Sequence, residues 1–398
     1  MPNAPIAWSG EMMKQKRKTV LLALGWYVHE INMGVARYAK EHDWILDDTS
    51  CHSGGFPSWK IDGVITLFAD PAQKKLIDFV KRAKVPVVAL SDQVPEVSVK
   101  RVLPDNEAIG RLAADEFLSR GFEHFAFLVL DNSAPVVQER MKGFRETVIQ
   151  AGKAFTVMDY TALWTNVHAH EKFLPWLKKE ILKCPKPLAM MAQYDAEANY
   201  IIRACLDAHI QIPMEVAVIG VDNDPIFCEL GPIPLSSVVS NRELLGYEGA
   251  AMLDQLMKGS AVKSPVRIQP DGIMIRQSSD VFAAKDPAIA KALNYIVQHL
   301  AEPFTIDDLA REAGVSRRSL YNKCNRYLGR TLHQEITRQR LAKARQLLRT
   351  TDEKLSTISE ACGFKDGMGL SKVFRLHENI TPSQLRQGKR TPHGAGIR

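Results

Sequence analysis

Leu309-Ala310-Arg311-Glu312-Ala313-Gly314-Val315-Ser316 and, further on, Ile358-Ser359-Glu360-Ala361-Cys362-Gly363-Phe364-Lys365 repeat one pattern near the C-terminus. Each begins on an apolar residue, has small residues close by, and places a glycine five positions later. Small residues let two helices cross closely, and glycine permits the left-handed turn between them. That is the pattern of a helix-turn-helix. A basic helix is expected after each glycine, so the two copies imply two recognition helices facing one DNA duplex.

Working outward, Thr305 followed by Asp308 forms a capping box that opens the first helix of the first copy. Ser316 caps the next helix, which carries Arg317, Arg318, Ser319, Tyr321, Asn322 and Lys323 as DNA-contact candidates. Arg and Asn side chains match guanine and adenine edges in the major groove, and a helix N-terminus with a hydroxyl suits a phosphate. The stretch from Leu332 to about Leu348 has an apolar stripe of Leu341, Ala344, Leu347 and Leu348, and reads as a rigid spacer between the copies. The second copy opens near Ser356 and Thr357. Its recognition helix starts near Asp366 and offers Gly367, Met368, Ser371, Lys372 and Arg375. Pro382 suits the first turn of a final helix.

Charge supports a split chain. Residues 285–398 hold 21 Lys and Arg against 11 Asp and Glu, a net of +10 in a chain whose total is +7. The remainder is therefore slightly acidic, as expected for a nucleic-acid reader joined to a different module. The six cysteines (Cys51, Cys184, Cys205, Cys228, Cys324, Cys362) are scattered and form no C-x-x-C pair, so they read as reduced, mostly buried thiols. No apolar run reaches the roughly 20 residues of a membrane span. Lys14–Lys18 followed by Thr19–Val28 imitates a signal peptide, but no small-x-small site follows. A buried first strand and a cytoplasmic location are the expectation, with Met12 or Met13 as alternative starts.

From Thr19 to about Val281 short apolar runs alternate with amphipathic stretches. Val20–Leu24, Gly63–Leu67, Val85–Leu90, Phe125–Leu130, Leu188–Ala192 and Val216–Val221 read as strands. Such alternation indicates parallel sheets covered on both faces. Ligands bind at the carboxyl ends of such strands. The length allows two α/β lobes, one of residues 18–101 with 237–262 and one of residues 102–236, and a cleft between lobes is a usual ligand site. A polar linker is expected at 277–286, a helical DNA-binding domain at 287–390, and loose tails at 1–17 and 391–398.

These residues carry two resemblances. Leu293 to Arg386 resembles the AraC-type DNA-binding domain through Thr305, Leu309-Ala310, Gly314, Ser316, Leu320, Leu328-Gly329-Arg330-Thr331, Arg340-Leu341 and Ala344. The second half continues it with Ile358, Gly363-Phe364, Ser371, Phe374-Arg375 and Thr381-Pro382-Ser383-Gln384. Asn379, Leu385, Gly367 and Gly369 depart from that pattern. The front two-thirds resembles the sensor core of LacI/GalR regulators, itself similar to periplasmic sugar-binding proteins. It does so through Asp105-Asn106-Glu107-Ala108-Ile109-Gly110, Gly121-Phe122, Glu139-Arg140, Gly143-Phe144, Val218-Ile219-Gly220-Val221-Asp222-Asn223 and Leu245-Gly246. The resemblance implies a two-lobed, periplasmic-binding-protein-like α/β domain with parallel sheets, followed by an all-α domain with two helix-turn-helix units.

It also implies that Arg140 and Asp222 hold sugar hydroxyls, with Asn223 beside them. Asp195, just after a strand, suits the same role, and Trp26 and Tyr27 are the aromatic candidates for a sugar's apolar face. Sensor first and AraC-type reader last is the arrangement of the xylose operon regulator family. That likeness implies a homodimer that binds a double-stranded operator, answers to D-xylose or a related sugar, and activates catabolic genes with RNA polymerase. No cofactor, metal or catalytic residue is expected: Walker A and G-x-S-x-G motifs are missing, and His168 and His170 diverge. The rival classes are a sugar-binding protein without a regulatory role and a sugar-acting enzyme.

Overall fold

The computed structural model describes residues 17–50, 55–69, 71–161, 169–283 and 286–388. The expected tails (apart from Arg17), Cys51, His168 and Lys285 lie outside the described residues. The chain divides into two compact units, one of Met1–Leu103 with Arg242–Ile268 and one of Pro104–Asn241 with Gln269–Arg398.

The first unit begins with β1 (Thr19–Leu24), α1 (His29–Glu41), β2 (Ile45–Asp47), β3 (Gly63–Leu67), α2 (Lys74–Arg82), β4 (Val87–Ala89) and β5 (Lys100–Pro104). The second unit follows with α3 (Asn106–Ser119), β6 (His124–Val129), α4 (Pro135–Gln150), β7 (Ala154–Asp159), α5 (Ala169–Lys183) and β8 (Leu188–Ala192). It continues through α6 (Asp195–Asp207), β9 (Val216–Val221), α7 (Pro225–Glu229) and β10 (Ser236–Val238). The chain then returns to the first unit with α8 (Arg242–Met257) and β11 (Val266–Ile268). β12 (Ile273–Met274) rejoins the second unit.

The two sheets have the orders β11-β5-β4-β3-β1-β2 and β12-β10-β9-β8-β6-β7. The ladders from β1 to β5 and from β6 to β10 are parallel, and only β12 is known to run antiparallel to its neighbour. All six expected strands are present. β4 is shorter than expected because Pro86 has no amide proton to give to a ladder. Apart from β5, the missed strands are edges or short pieces. β7, at the sheet edge, exposes most of its residues and has none of the continuous apolarity that marks β8 and β9.

Helices cross tightly beside each sheet. A Cβ on Gly110 of α3 would fall 2.0 Å from the Arg140 carbonyl of α4, and one on Gly143 of α4 would fall 2.0 Å from the Glu107 carbonyl. Only glycine allows this reciprocal backbone approach.

The last elements are α9 (Pro287–Gln298), α10 (Ile306–Glu312), α11 (Arg317–Leu328), α12 (Leu332–Thr350), α13 (Leu355–Ala361), α14 (Gly367–Glu378) and α15 (Pro382–Gly388). They form two small cores. Leu332 and Ile336, at the start of α12, belong to the first core with Leu309 and Leu320. Leu341, Ala344 and Leu348, further along, belong to the second with Ile358, Leu370 and Phe374. One helix thus supplies both cores, which makes it the stiff spacer its sequence suggested. Glu335 of α12 is fully buried between Arg330 and Arg338.

The stretch expected as a polar linker is polar but not solvated. Ser278 and Ser279 are fully buried. The Ser278 hydroxyl donates to the Val218 carbonyl of β9 at 2.7 Å and accepts from the Ser236 amide of β10 at 2.8 Å. Serine composition misled the reading because the Ser278 hydroxyl is spent on strand backbone rather than on water.

Candidate functional site

In the second unit, the carboxyl ends of β8 and β9 carry a polar cluster centred on Arg140 of α4. Arg140 is only 2% exposed. Its Nε–H donates to Asn106 Oδ1 at 3.1 Å, and its Nη1 donates to the Gln193 carbonyl. Its Nη2 lies 3.7 Å from Asp222 Oδ1, and its guanidinium stands 4.9 Å over the Tyr194 ring. The Ser240 hydroxyl donates to the same Asp222 oxygen at 2.7 Å.

Asp222 has φ of 101° and Asn223 φ of 56°. For a side chain other than glycine the first is strained, at a cost of roughly 1–3 kcal/mol, and persists only where the surroundings enforce it. The Asn223 amide is held by Ser237 Oγ at 2.9 Å. Its own Oδ1 is buried and, among the described residues, has no hydrogen-bond partner. An Arg donor, an Asp acceptor and an unsatisfied Asn oxygen at strand ends form a set suited to a polyol, whose hydroxyls both donate and accept.

Asp195 plays a different part. Its Oδ1 accepts from the Ser237 hydroxyl at 2.6 Å and its Oδ2 from the Asp224 amide at 2.8 Å. Burial pushes this carboxyl up to about 7, with the nearby Asp222 charge adding to the rise. A Cβ on Gly220 would fall 2.3 Å from Asp195 Oδ1, so the side chain is wedged against β9. It shapes the strained loop rather than presenting a free acceptor. Beside it, burial pushes Glu197 up to about 8, against the opposing hydrogen bond from Gln193 and the charge of Arg140. Gln193 Nε2 donates to Glu197 Oε1 at 2.6 Å.

The reader's two copies superpose by sequence. Ser316 caps α11 by accepting from the Ser319 amide, and Asp366 caps α14 by accepting from the Gly369 amide. Leu320 and Cys324 face the first core as Leu370 and Phe374 face the second. Gly329 (φ 64°) and Asn379 (φ 58°) end the two helices in the left-handed conformation. Thr331 with Gln334 and Thr381 with Gln384 then exchange the reciprocal bonds of a capping box. The turns differ by one residue, since Gly314 precedes its cap by two positions and Gly363 by three. Both glycines have positive φ. Outward from α11 point Ser316, Arg317, Arg318, Asn322 and Arg326, and from α14 point Met368, Lys372 and Arg375.

Comparison with known proteins agrees with both halves. A periplasmic binding protein-like domain matches residues 114–279 and a helix-turn-helix domain matches residues 309–388. The xylose operon regulatory protein of Escherichia coli K12 is 29% identical over 90% of this chain and 94% of its own. That of Haemophilus influenzae is 26% identical, over 90% of this chain and 95% of its own. A solved structure titled as the xylose-binding transcription activator xylR covers 94% of this chain and 98% of its own, at 25% identity and a TM-score of 0.58. The chain is a sugar-responsive transcription regulator that resembles XylR. The match runs through sensor and reader in the same order, which neither domain alone would establish.

In this XylR-like regulator, several sequence candidates take other places. Lys323 is ion-paired with the buried Asp286, whose carboxylate also caps α9 through the Ala288 and Ile289 amides. Through that pair it braces the first core, with a third of its side chain still exposed. Tyr321 packs against that core as well. The Ser371 hydroxyl donates to the Gly367 carbonyl of its own helix. Ser319 is half-buried in the capped turn. Trp26 and Tyr27 belong to the other unit and lie past the end of β1, with 69% and 61% of their surface exposed.

Sequence reading missed Gln193, Tyr194, Glu197 and Ser240 in the polar cluster and Arg326 and Tyr327 on the reader. Gln193 and Tyr194 directly follow β8, so the strand-end rule alone would have found them. Arg326 and Tyr327 lie at the far end of α11, where the guanidinium stands over the ring at 5.6 Å. Among the described residues no helix is long and apolar enough to cross a membrane.

Proposed function

We propose that this XylR-like, sugar-responsive transcription regulator takes a pentose of the D-xylose type as its effector. The sugar would be held by Arg140, Asp222 and Asn223. The observation that carries the reading is the buried Arg140 guanidinium 3.7 Å from an Asp222 carboxylate held in a strained backbone conformation. A hydroxyl placed between them accepts from the arginine and donates to the aspartate. In this reading the regulator works in the cytoplasm as a homodimer. It reads its operator with Ser316, Arg317, Arg318 and Asn322 of α11 and with Met368, Lys372 and Arg375 of α14. Asp366, Ser319 and Ser371 shape the helix starts, and Gly367 lets the backbone approach the DNA. Sugar binding shifts the equilibrium between reader arrangements and favours recruitment of RNA polymerase.

A thermal-shift series of the purified chain against pentoses and hexoses tests the effector, since a ligand bound to the native state raises apparent stability. D-xylose or a close relative should raise the melting temperature of the wild type and leave Asp222→Ala unmoved. A flat response to every sugar defeats the effector assignment.

A further inference from the structure

The second recognition helix begins Gly367-Met368-Gly369, so its first turn projects one side chain between two bare positions. The fold does not demand either glycine. Neither has a positive φ. A Cβ on Gly367 would come no closer than 3.6 Å to Leu355, and one on Gly369 would stand 3.4 Å from Asp366 Oδ1, both ordinary contacts. Gly363 is the contrast, because it has φ of +71° and a Cβ there would fall 1.9 Å from the Leu300 carbonyl. Helical glycine costs about 1 kcal/mol relative to alanine in an interior, less at a first turn. Two such positions with no internal use indicate that something outside the chain must approach the backbone closely.

Met368 is 81% exposed, so it fills no gap in its own domain. In the aligned register it occupies the place of Arg318, two residues after the N-cap. Lys372 and Arg375 share its face at helical spacing and are exposed. A flexible apolar side chain at a base-reading position, flanked by basic ones, matches a single base-edge feature: the thymine methyl group, which is read by apolar contact in the major groove.

We infer that Met368 reads a thymine methyl, and that Gly367 and Gly369 are bare so that the start of α14 can enter the groove deeply enough for it to do so. This rests on the reading of the chain as an operator-binding regulator. The two helices then read different chemistry from equivalent positions, with Arg318 directed to hydrogen-bonding edges and Met368 to a methyl.

The test uses full-length protein. Duplexes are first selected from a randomised pool to define the operator. Each thymine in it is then replaced singly by deoxyuridine, which removes only the methyl. One replacement under the second reader should weaken wild-type binding by about fourfold, the worth of one buried methyl. Met368→Ala should bind more weakly by a similar factor and be indifferent to that replacement while still responding to the others. Met368→Leu should restore the response. Gly367→Ala/Gly369→Ala, folded as judged by an unchanged or raised melting temperature, should lose affinity at least tenfold. If every thymine replacement is additive with Met368→Ala, or the alanine pair binds as well as wild type, the inference is overturned. If the pool yields no bound duplex, the operator-binding reading itself falls, and this inference with it.

Discussion

Val281 and Phe282 are consecutive residues buried in two different hydrophobic cores. Val281 packs with the strands of the sensor lobe, and Phe282 with α9 and the first helix-turn-helix. The junction is pinned by Arg120, whose buried guanidinium meets Glu116 at 2.6 Å and Asp280 at 3.1 Å and lies 5.3 Å over the Phe282 ring. The Arg120 carbonyl also accepts from the Ala283 amide at 2.9 Å. Sensor lobe and reader are spliced rather than tethered. Phe282→Ala should cost about 3–5 kcal/mol and split the thermal unfolding of these two parts. Calorimetry should then resolve a reader transition below that of the sensor. Retention of one cooperative transition would show that the splice is not what couples them.

The close crossing of α3 and α4 places Arg140, proposed above to hold the sugar, under backbone control. A methyl added at Gly110 strikes the carbonyl of Arg140 itself. Because the obstacle is backbone, α4 must move rather than a side chain rotate. Gly110→Ala should destabilise by about 1–3 kcal/mol and weaken the sugar response more than a substitution of equal stability cost elsewhere in the lobe. Isothermal titration beside a denaturation curve separates the two effects, and unchanged sugar affinity would free Arg140 from the helix crossing.

Much of this architecture was legible in the chain. The six strands were marked by unbroken apolar runs, and the reader by paired glycines and the caps Thr305 and Ser316. Illegible were features that depend on tertiary partners. Nothing local says that Lys323 is paired with Asp286 37 residues away, or that Ser278 serves the strand backbone of β9 and β10. Tyr321 was counted among the exposed DNA-contact candidates, yet helix periodicity turns it partly inward. Asp195 was found by the strand-end rule but not its role, because its partners Ser237 and Asp224 arrive from other elements.

The raised carboxyls set a pH dependence. Burial pushes Asp195 up to about 7 in the folded chain and Glu197 to about 8. In the unfolded chain such groups titrate near 4. Between those values the folded state keeps protons that the unfolded state has released, so stability falls as pH rises through that window. It levels off above the folded values, and below about pH 4 both states are protonated. Asp195→Asn removes the titrating group while its amide oxygen still accepts from Asp224. Urea denaturation followed from pH 4 to 8 should give a shallower decline for the variant than for wild type. Parallel profiles would mean that Asp195 is ionised at neutral pH after all.

Arg318 and Lys323 stand on the same helix and carry the same charge, but operator binding should need only one of them. Arg318 is exposed at the outward tip of α11, while Lys323 is neutralised by the nearly buried Asp286. Arg318→Ala should lose about 1–3 kcal/mol of operator affinity and relax selectivity at one guanine, with the salt dependence little changed, because a base contact releases no counterion. Lys323→Ala should leave affinity per folded molecule near wild type and lower reader stability, since Asp286 then stays buried with its charge opposed only by the α9 amides. Titrations of both variants at several salt concentrations decide the matter. A salt slope reduced by about one unit in Arg318→Ala would move that residue from base to phosphate, and a comparable loss of affinity in Lys323→Ala would place both side chains on the DNA.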